Sequence, residues 1–91
     1  MTTVEREVKI INRLGMHARA AGHFRRTASG FKSNIDVIRD HMTANAKSLL
    51  GLMALEAAQG TRIVIRAKGE DAEEAVAVLA ALVHGRFGEK E

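Results

Sequence analysis

The sequence lacks cysteine and proline, and its only aromatic residues are three phenylalanines. The absence of cysteine excludes disulfide bonds, thiolate chemistry and cysteine-based zinc sites. With so few aromatic side chains, the core must be built from aliphatic residues. The longest apolar run, Ala75 to Val83, is far shorter than the ~20 residues that a membrane-spanning helix needs. No signal peptide precedes the first strand, so we expect a cytoplasmic protein that does not insert into membranes.

The composition that remains is that of a small globular protein. At 91 residues and 46% hydrophobic content, we expect one domain covering residues 1–91. Residues 1–50 contain nine Lys and Arg against four Asp and Glu, a balance of +5, whereas residues 51–91 contain five against seven, a balance of −2. The basic half indicates either scattered solvated charge or a surface for an acidic partner. The sum alone does not choose between them.

Hydrophobic periodicity predicts four strands and three helices in the order βαββαβα. Strands are predicted at residues 4–11, 33–39, 42–45 and 61–68, and helices at 18–29, from Ser48 to about 59, and from Asp71 to about 84. Asp71 and Glu74 are spaced as a capping box at the start of the last helix. This order favours an α+β fold, a largely antiparallel sheet with helices on one face, although it cannot fix the strand pairing.

His17 is the candidate reactive residue, in the stretch "NRLGMHARAAGHF" at residues 12–24. If a helix begins near Ala18, His17 lies at or beside its N-cap, where free backbone N–H groups favour a phosphate. A phosphoryl group on the imidazole would then lie against these donors, with Arg19 near enough to pair with it. The stretch lacks the second catalytic group of an autonomous enzyme, which favours a carrier. Alternatively, His17 is an ordinary surface residue, and Arg19, His23 and Arg26 form a solvated basic stripe.

Three segments strengthen the carrier hypothesis, because together they resemble a known family. "GMHAR" at residues 15–19, "ANAKSLLGLMAL" at 44–55 and "AKGEDAEEA" at 67–75 are similar to the histidine-containing phosphocarrier (HPr) family of the bacterial phosphoenolpyruvate-dependent phosphotransferase system. The resemblance extends over essentially the whole chain. It implies an HPr-like open-faced β-sandwich, with four antiparallel strands and three helices on one face.

The resemblance also implies a site and its partners. His17 would be phosphorylated on Nδ1 by enzyme I, Arg19 would face the phosphate, and the phosphoryl group would pass to a histidine of an enzyme IIA component. No cofactor is implied, and we expect a monomer. The implied partner-binding residues are Ala18, His23, Arg26, Leu49, Leu50 and Met53. An exposed apolar patch beside basic residues suits acidic, partly hydrophobic partners.

Two positions leave questions open within the family. The family usually has proline where this chain has Ala20, so the helix should form with more freedom at its start. The rate of transfer, and the choice between sugar transport and a nitrogen-related regulatory role, therefore stay open. Ser48 matches the family's regulatory serine, which a kinase/phosphorylase modifies in some bacteria. It is also a favoured N-cap residue, and both roles are compatible.

Other functions fit the sequence less well. A protein-interaction module with an unmodified His17 remains an alternative. A phosphopantetheine carrier would have Asp directly before the serine, whereas Lys47 precedes Ser48. The histidines at 17, 23, 41 and 84 have no metal-ligand spacing, so no metal site is predicted. Nucleic-acid binding by the arginine stripe lacks stacking aromatic residues and a recognised module.

Overall fold

One antiparallel sheet and three helices make up the computed structural model, which describes residues 2–91. The elements are β1 (Thr3–Lys9), α1 (Ala18–Ser29), β2 (Asn34–Arg39), β3 (Met42–Asn45), α2 (Leu49–Ala54), β4 (Arg62–Lys68) and α3 (Ala72–His84). A 3-10 turn, Arg86–Gly88, follows α3. The strand order is β1-β4-β2-β3, and every neighbouring pair is antiparallel. The predicted α+β class and element order are confirmed.

The core lies between the helices and one face of the sheet. Alternate strand residues point into it because side chains in a strand alternate between faces. The buried strand residues include Val8, Ile35, Val37, Ile63, Ile65 and Ala67, and α1 contributes Ala20, Ala21, Phe24 and Ala28. The opposite face carries charged side chains, such as Arg62, which pairs with Glu7 at 3.2 Å. The core is aliphatic with Phe24 and Phe87 inside it, as the composition predicts.

Helix α2 is shorter than the sequence pattern predicts. It ends at Ala54, not near residue 59, and Glu56 adopts a left-handed backbone with φ of 50°. The guanidinium of Arg39, in β2, donates hydrogen bonds to the carbonyl oxygens of Leu55 at 2.6 Å and Glu56 at 3.0 Å. These bonds hold the two residues that follow the helix to a distant strand. The apolar residues after Ala54 therefore pack as a loop.

Asp71 does not form the predicted capping box. It occupies the N-cap position of α3 but makes no side-chain bond to that helix. Its carboxylate accepts hydrogen bonds from the backbone N–H of Lys32 at 2.8 Å, from the N–H of Ser33 at 2.9 Å and from the Ser33 hydroxyl at 2.5 Å. The Ser33 hydroxyl contributes most to lowering the pKa of Asp71. Asp71 therefore joins the start of α3 to the start of β2.

The loop before α1 is fixed against the segment that follows α2. Gly15 has φ of 68°, and a Cβ at this position would lie 2.6 Å from the carbonyl oxygen of Ala57. The N–H of Met16 donates to that same oxygen at 2.9 Å. Glycine is required here for both its φ and its small size. Helix α1 begins at Ala18 without a proline in its first turn, and Ala20 is fully buried.

Among residues 2–91, no helix has the length and apolar character needed to cross a membrane.

Candidate functional site

His17 is the N-cap of α1, as the sequence predicts. Its backbone is extended, with φ of −72° and ψ of 178°, and its Nδ1 accepts a hydrogen bond from the N–H of Arg19 at 3.3 Å. The side chain is 27% exposed, so the ring is open to a partner along part of its edge. A histidine nitrogen here takes the place of the Ser or Asp oxygen that usually caps a helix. Nδ1 thus faces the positive end of the helix dipole.

The segment after α3 brings a carboxylate to His17 that sequence reasoning missed. The 3-10 turn buries Phe87, which has φ of 54°, and turns the chain back toward α1. Oε2 of Glu89 then contacts Nε2 of His17 and accepts from the Arg19 guanidinium, at 2.6 Å from Nη2 and 3.2 Å from Nε. Arg19 also donates to the carbonyl oxygen of Phe87 at 2.8 Å. His17, Arg19 and Glu89 therefore form one cluster.

The other carboxylate oxygen of Glu89 is held from the opposite side. The amide Nδ2 of Asn12, which is fully buried, donates to Oε1 of Glu89 at 2.8 Å and to the carbonyl oxygen of Gly15 at 2.8 Å. Burial raises the pKa of Glu89, but the hydrogen bonds from Arg19, His17 and Asn12 outweigh it and lower the pKa to about 2. Glu89 is therefore ionised at neutral pH.

An open cleft of about 470 Å³ lies beside this cluster. Its lining residues are Arg13, Leu14, His17, Arg19, Glu89, Lys90 and Glu91. Leu14 is 62% exposed, which is unusual for a large apolar side chain that contributes to the core. Arg13 pairs with Glu91 at the rim, with 3.2 Å between Nη1 and Oε2.

The start of α2 presents the second group of predicted residues. The Ser48 hydroxyl caps the helix by accepting from the N–H of Gly51 at 3.1 Å. Leu50 is 79% exposed, and Leu49 and Met53 are also exposed. Helix α2 packs against α1, which carries the other predicted partner-binding residues. On α1, Ala18 and Arg26 are exposed and His23 is half-buried.

Within the described residues 2–91, no group of three or more His, Asp or Glu side chains is arranged to hold a metal ion. The Glu89 cluster contains only two such residues, and Arg19 and Asn12 complete it. It is therefore built from hydrogen-bond donors that converge on one ionised carboxylate.

The sequence matches the family model "PTS HPr component phosphorylation site" over residues 4–84. The chain belongs to the HPr family. It is 46% identical to the phosphocarrier protein HPr of Neisseria meningitidis, over 97% of this chain and 99% of that protein. It is 43% identical to the phosphocarrier protein NPr of Shewanella violacea, over 98% of each. The HPr-like protein Crh of Bacillus subtilis is 39% identical, over 88% of this chain and 94% of Crh.

Solved HPr structures share the fold. The crystal structure of Thermoanaerobacter tengcongensis HPr matches with a TM-score of 0.93 and 42% identity, over 97% of this chain and 99% of that one. Bacillus anthracis HPr matches with a TM-score of 0.85 and 38% identity, over 89% and 96%. The protein is thus an HPr-type phosphocarrier and not an enzyme. Similar structures include an HPr dimer and a Crh dimer, so our expectation of a monomer stays a prediction.

The family match ends at residue 84, so Glu89 lies beyond it. Motif comparison with HPr proteins therefore finds His17 and Arg19 but gives no reason to select Glu89. Hydrophobic periodicity gives none either, because Glu89 follows the last predicted helix.

Proposed function

We propose that this chain accepts a phosphoryl group from phosphorylated enzyme I on Nδ1 of His17 and passes it to a histidine of an enzyme IIA component in the cytoplasm. The observation that carries the proposal is the position of His17 as the N-cap of α1, with Nδ1 toward the free N–H groups of the helix. A phosphoryl group on Nδ1 would lie at the end of the helix that favours anions.

Arg19 is the side chain suited to bind that phosphoryl group. Its guanidinium lies in the same cluster as His17 and is 52% exposed, so it can reach an incoming anion without being pulled from the core. Arginine binds phosphate oxygens with paired N–H donors, which adds geometric selectivity to charge attraction. Imidazole is a good leaving group for phosphorus, so His17 can also give the phosphoryl group up.

The partner surface we assign combines residues of α1 and α2. It consists of Ala18, His23, Arg26, Leu49, Leu50 and Met53, and we add Leu14 because it is exposed at the cleft. Basic groups of α1 would steer an acidic partner toward the site, and the apolar groups of α2 would bury surface once it has docked. Both enzyme I and an enzyme IIA component would use this surface in turn.

Phosphorylation can be tested with labelled phosphoenolpyruvate, enzyme I and three forms of the chain. We expect acid-labile, alkali-stable label on the intact chain and on His41→Ala, whose exposed histidine lies in the β2–β3 turn. We expect none on His17→Ala. NMR of the labelled chain should place the phosphorus on Nδ1. Label on His17→Ala, or none on the intact chain while an authentic HPr is labelled, would refute the proposal and favour a protein-interaction module.

The choice between sugar transport and nitrogen-related regulation depends on the acceptor. The chain is 46% identical to an HPr and 43% identical to an NPr, values too close to separate the two. Transfer of the label should therefore be measured to both a sugar-specific and a nitrogen-related enzyme IIA. The acceptor with the higher kcat/KM assigns the branch.

We also propose that Ser48 is a site of regulatory phosphorylation by a serine kinase/phosphorylase. Its hydroxyl caps α2, and the adjacent Leu49 and Leu50 belong to the partner surface assigned above. A phosphate on Ser48 would add about two negative charges where acidic partners dock, without removing the backbone donors at the helix start. Docking would weaken while the fold stays intact.

A further inference from the structure

Glu89 contacts His17, the residue that accepts the phosphoryl group in the proposed function, from 72 residues away in sequence. It is 16% exposed, and both of its oxygens accept hydrogen bonds, Oε2 from His17 and Arg19 and Oε1 from Asn12. A flexible surface glutamate would not be held from two sides in this way. The cluster therefore fixes the carboxylate at the ring edge opposite Nδ1.

The contacts of the His17 ring determine which nitrogen carries the proton. An ionised carboxylate can only accept, so Nε2 must donate to Glu89. A backbone N–H can only donate, so Nδ1 must accept from Arg19. The neutral tautomer with the proton on Nε2 satisfies both contacts. The other neutral tautomer would place a lone pair against the carboxylate and two N–H groups against each other.

We propose that Glu89 is a positioning residue for His17: its carboxylate keeps the proton on Nε2 and so leaves the lone pair on Nδ1, the nitrogen that faces α1. Setting a histidine's tautomer through the partner of its other nitrogen is a general device in proteins. The role in phosphoryl transfer rests on the proposed function, whereas the tautomer is a property of the unmodified chain.

Phosphoryl transfer to such a ring balances without a further acid or base. The Nδ1 lone pair forms the new N–P bond, and the bond from phosphorus to the donor's histidine nitrogen breaks, with its electron pair staying on the donor. Nε2 keeps its proton, so the ring becomes positively charged, and Glu89 stabilises that charge. On onward transfer the N–P bond breaks, its pair returns to Nδ1, and the neutral Nε2–H ring is restored.

Arg19 links this positioning to the arriving phosphate. In the unmodified chain its Nη2 and Nε both donate to Oε2 of Glu89. A phosphoryl group on Nδ1 would offer the same guanidinium a more highly charged acceptor. We expect Arg19 to move from Glu89 to the phosphate while Nε2–H stays on the carboxylate.

The test compares three variants with the intact chain by NMR of ¹⁵N-histidine-labelled protein at about pH 9, where a free imidazole is neutral. Glu89→Met keeps the length of the side chain and removes both acceptors. Glu89→Gln keeps one neutral acceptor. Glu91→Met is the matched control on the same segment, because Glu91 pairs with Arg13 at the exposed rim. The backbone amide spectrum of each variant reports whether the fold is intact.

We expect the intact chain and Glu91→Met to show one tautomer, with an Nε2–H proton that exchanges slowly with water. Glu89→Met should lose that resonance and show both tautomers, and Glu89→Gln should be intermediate. If half of the ring changes tautomer, kcat/KM for phosphorylation falls about twofold, because only the competent fraction reacts. An unchanged tautomer and a retained Nε2–H resonance in folded Glu89→Met would overturn the inference.

These experiments can refute either of the two proposals without refuting the other. If the intact chain shows the single tautomer but enzyme I leaves no label on it, the positioning contact stands and the carrier function is wrong. If the chain is labelled on His17 and Glu89→Met leaves the tautomer unchanged, the carrier function stands and the role of Glu89 is wrong.

Discussion

Two helices of this protein begin with a side chain that caps the backbone, but the two helix starts are held in different ways. At α2, the Ser48 hydroxyl accepts from Gly51, three residues on, and no long-range ion pair is part of the cap. At α1, the cap is a histidine whose other nitrogen contacts Glu89, and Arg19 and Asn12 hold the same carboxylate. The first cap is local, and the second depends on the whole fold.

This difference follows from what each side chain must do. A serine cap needs only its own hydroxyl and a nearby N–H, so it can form as soon as the helix does. A histidine cap has two ring nitrogens, and only one of them can accept a hydrogen bond from a backbone N–H of the helix. The second nitrogen needs a partner, which this chain supplies from the segment after α3. The α1 start is therefore a defined site, while the α2 start is an exposed surface.

Among substitutions that distinguish the start of α1 from the start of α2, we expect the largest loss of stability at Gly15, which positions the start of α1. Gly15→Ala would force a Cβ to within 2.6 Å of the Ala57 carbonyl oxygen at φ of 68°. The left-handed backbone costs about 1 kcal/mol and the clash with backbone about 1–3 kcal/mol more. We expect a loss of about 2–4 kcal/mol in the free energy of unfolding, measured by urea denaturation.

Gly60→Ala is the matched control for this prediction. Gly60 also has a positive φ, of 91°, but a Cβ there meets nothing within 4 Å. It should cost about 1 kcal/mol, from the backbone conformation alone. Equal losses in the two variants would show that the packing of the Gly15 loop on Ala57 does not anchor the α1 start.

Most of the fold could be predicted because its signals are local. The alternation of Ile63, Ile65 and Ala67 marks β4, and the spacing of Ala20, Phe24 and Ala28 marks the buried face of α1. The two errors concern long-range contacts. Arg39 of β2 holds the residues that follow the end of α2, and Asp71 bonds Ser33 and not its own helix. Neither partner is near in sequence, so no local pattern contains it.

The residues of the candidate site likewise fall into those with a local sequence signal and one that depends on long-range contacts. His17, Arg19 and Ser48 lie in short motifs, and the structure places both His17 and Ser48 at the helix starts that those motifs predict. Glu89 was missed because its role depends on a turn after α3 that buries Phe87 and reverses the chain. That turn has two non-glycine residues with positive φ, Arg86 and Phe87, which sequence propensities do not favour.

The next largest effect should appear as a pH dependence of stability that arises from Glu89 at the α1 site. The pKa of Glu89 is lowered from 4.5 to about 2, so its docking stabilises the fold fully above about pH 4.5 and loses this contribution as pH falls toward 2. We expect Glu89→Gln to be less stable than the intact chain by about 2 kcal/mol near neutral pH, the range for hydrogen bonds to a charged group. The difference should vanish near pH 2.

This prediction is checked by urea unfolding of both forms between about pH 2 and pH 7. The lowered pKa of Asp71 contributes to the acid sensitivity of both proteins and cancels in the difference. Glu91→Gln is the control on the same segment, and its difference from the intact chain should stay small at every pH because the Arg13–Glu91 pair is exposed. A Glu89→Gln difference that does not change with pH would mean that Glu89 is not held as an ion.

The smallest effect is expected at α2, where substitutions of Ser48 separate the cap from the partner surface. Ser48→Ala removes the hydroxyl that binds Gly51 and should cost about 1 kcal/mol of stability without changing phosphorylation of His17. Ser48→Asp keeps a good cap and adds charge, so its stability should change by less than about 0.5 kcal/mol. Its kcat/KM with enzyme I should fall about fivefold, equivalent to roughly 1 kcal/mol of docking.

Ser29→Ala, at the exposed last position of α1, is the control for serine removal and should be neutral. Raising the salt concentration should reduce the Ser48→Asp defect, because exposed charges are screened. If Ser48→Asp slows phosphorylation only as much as Ser48→Ala, charge at this helix start does not regulate docking. The Ser48 hydroxyl would then serve only as the cap of α2.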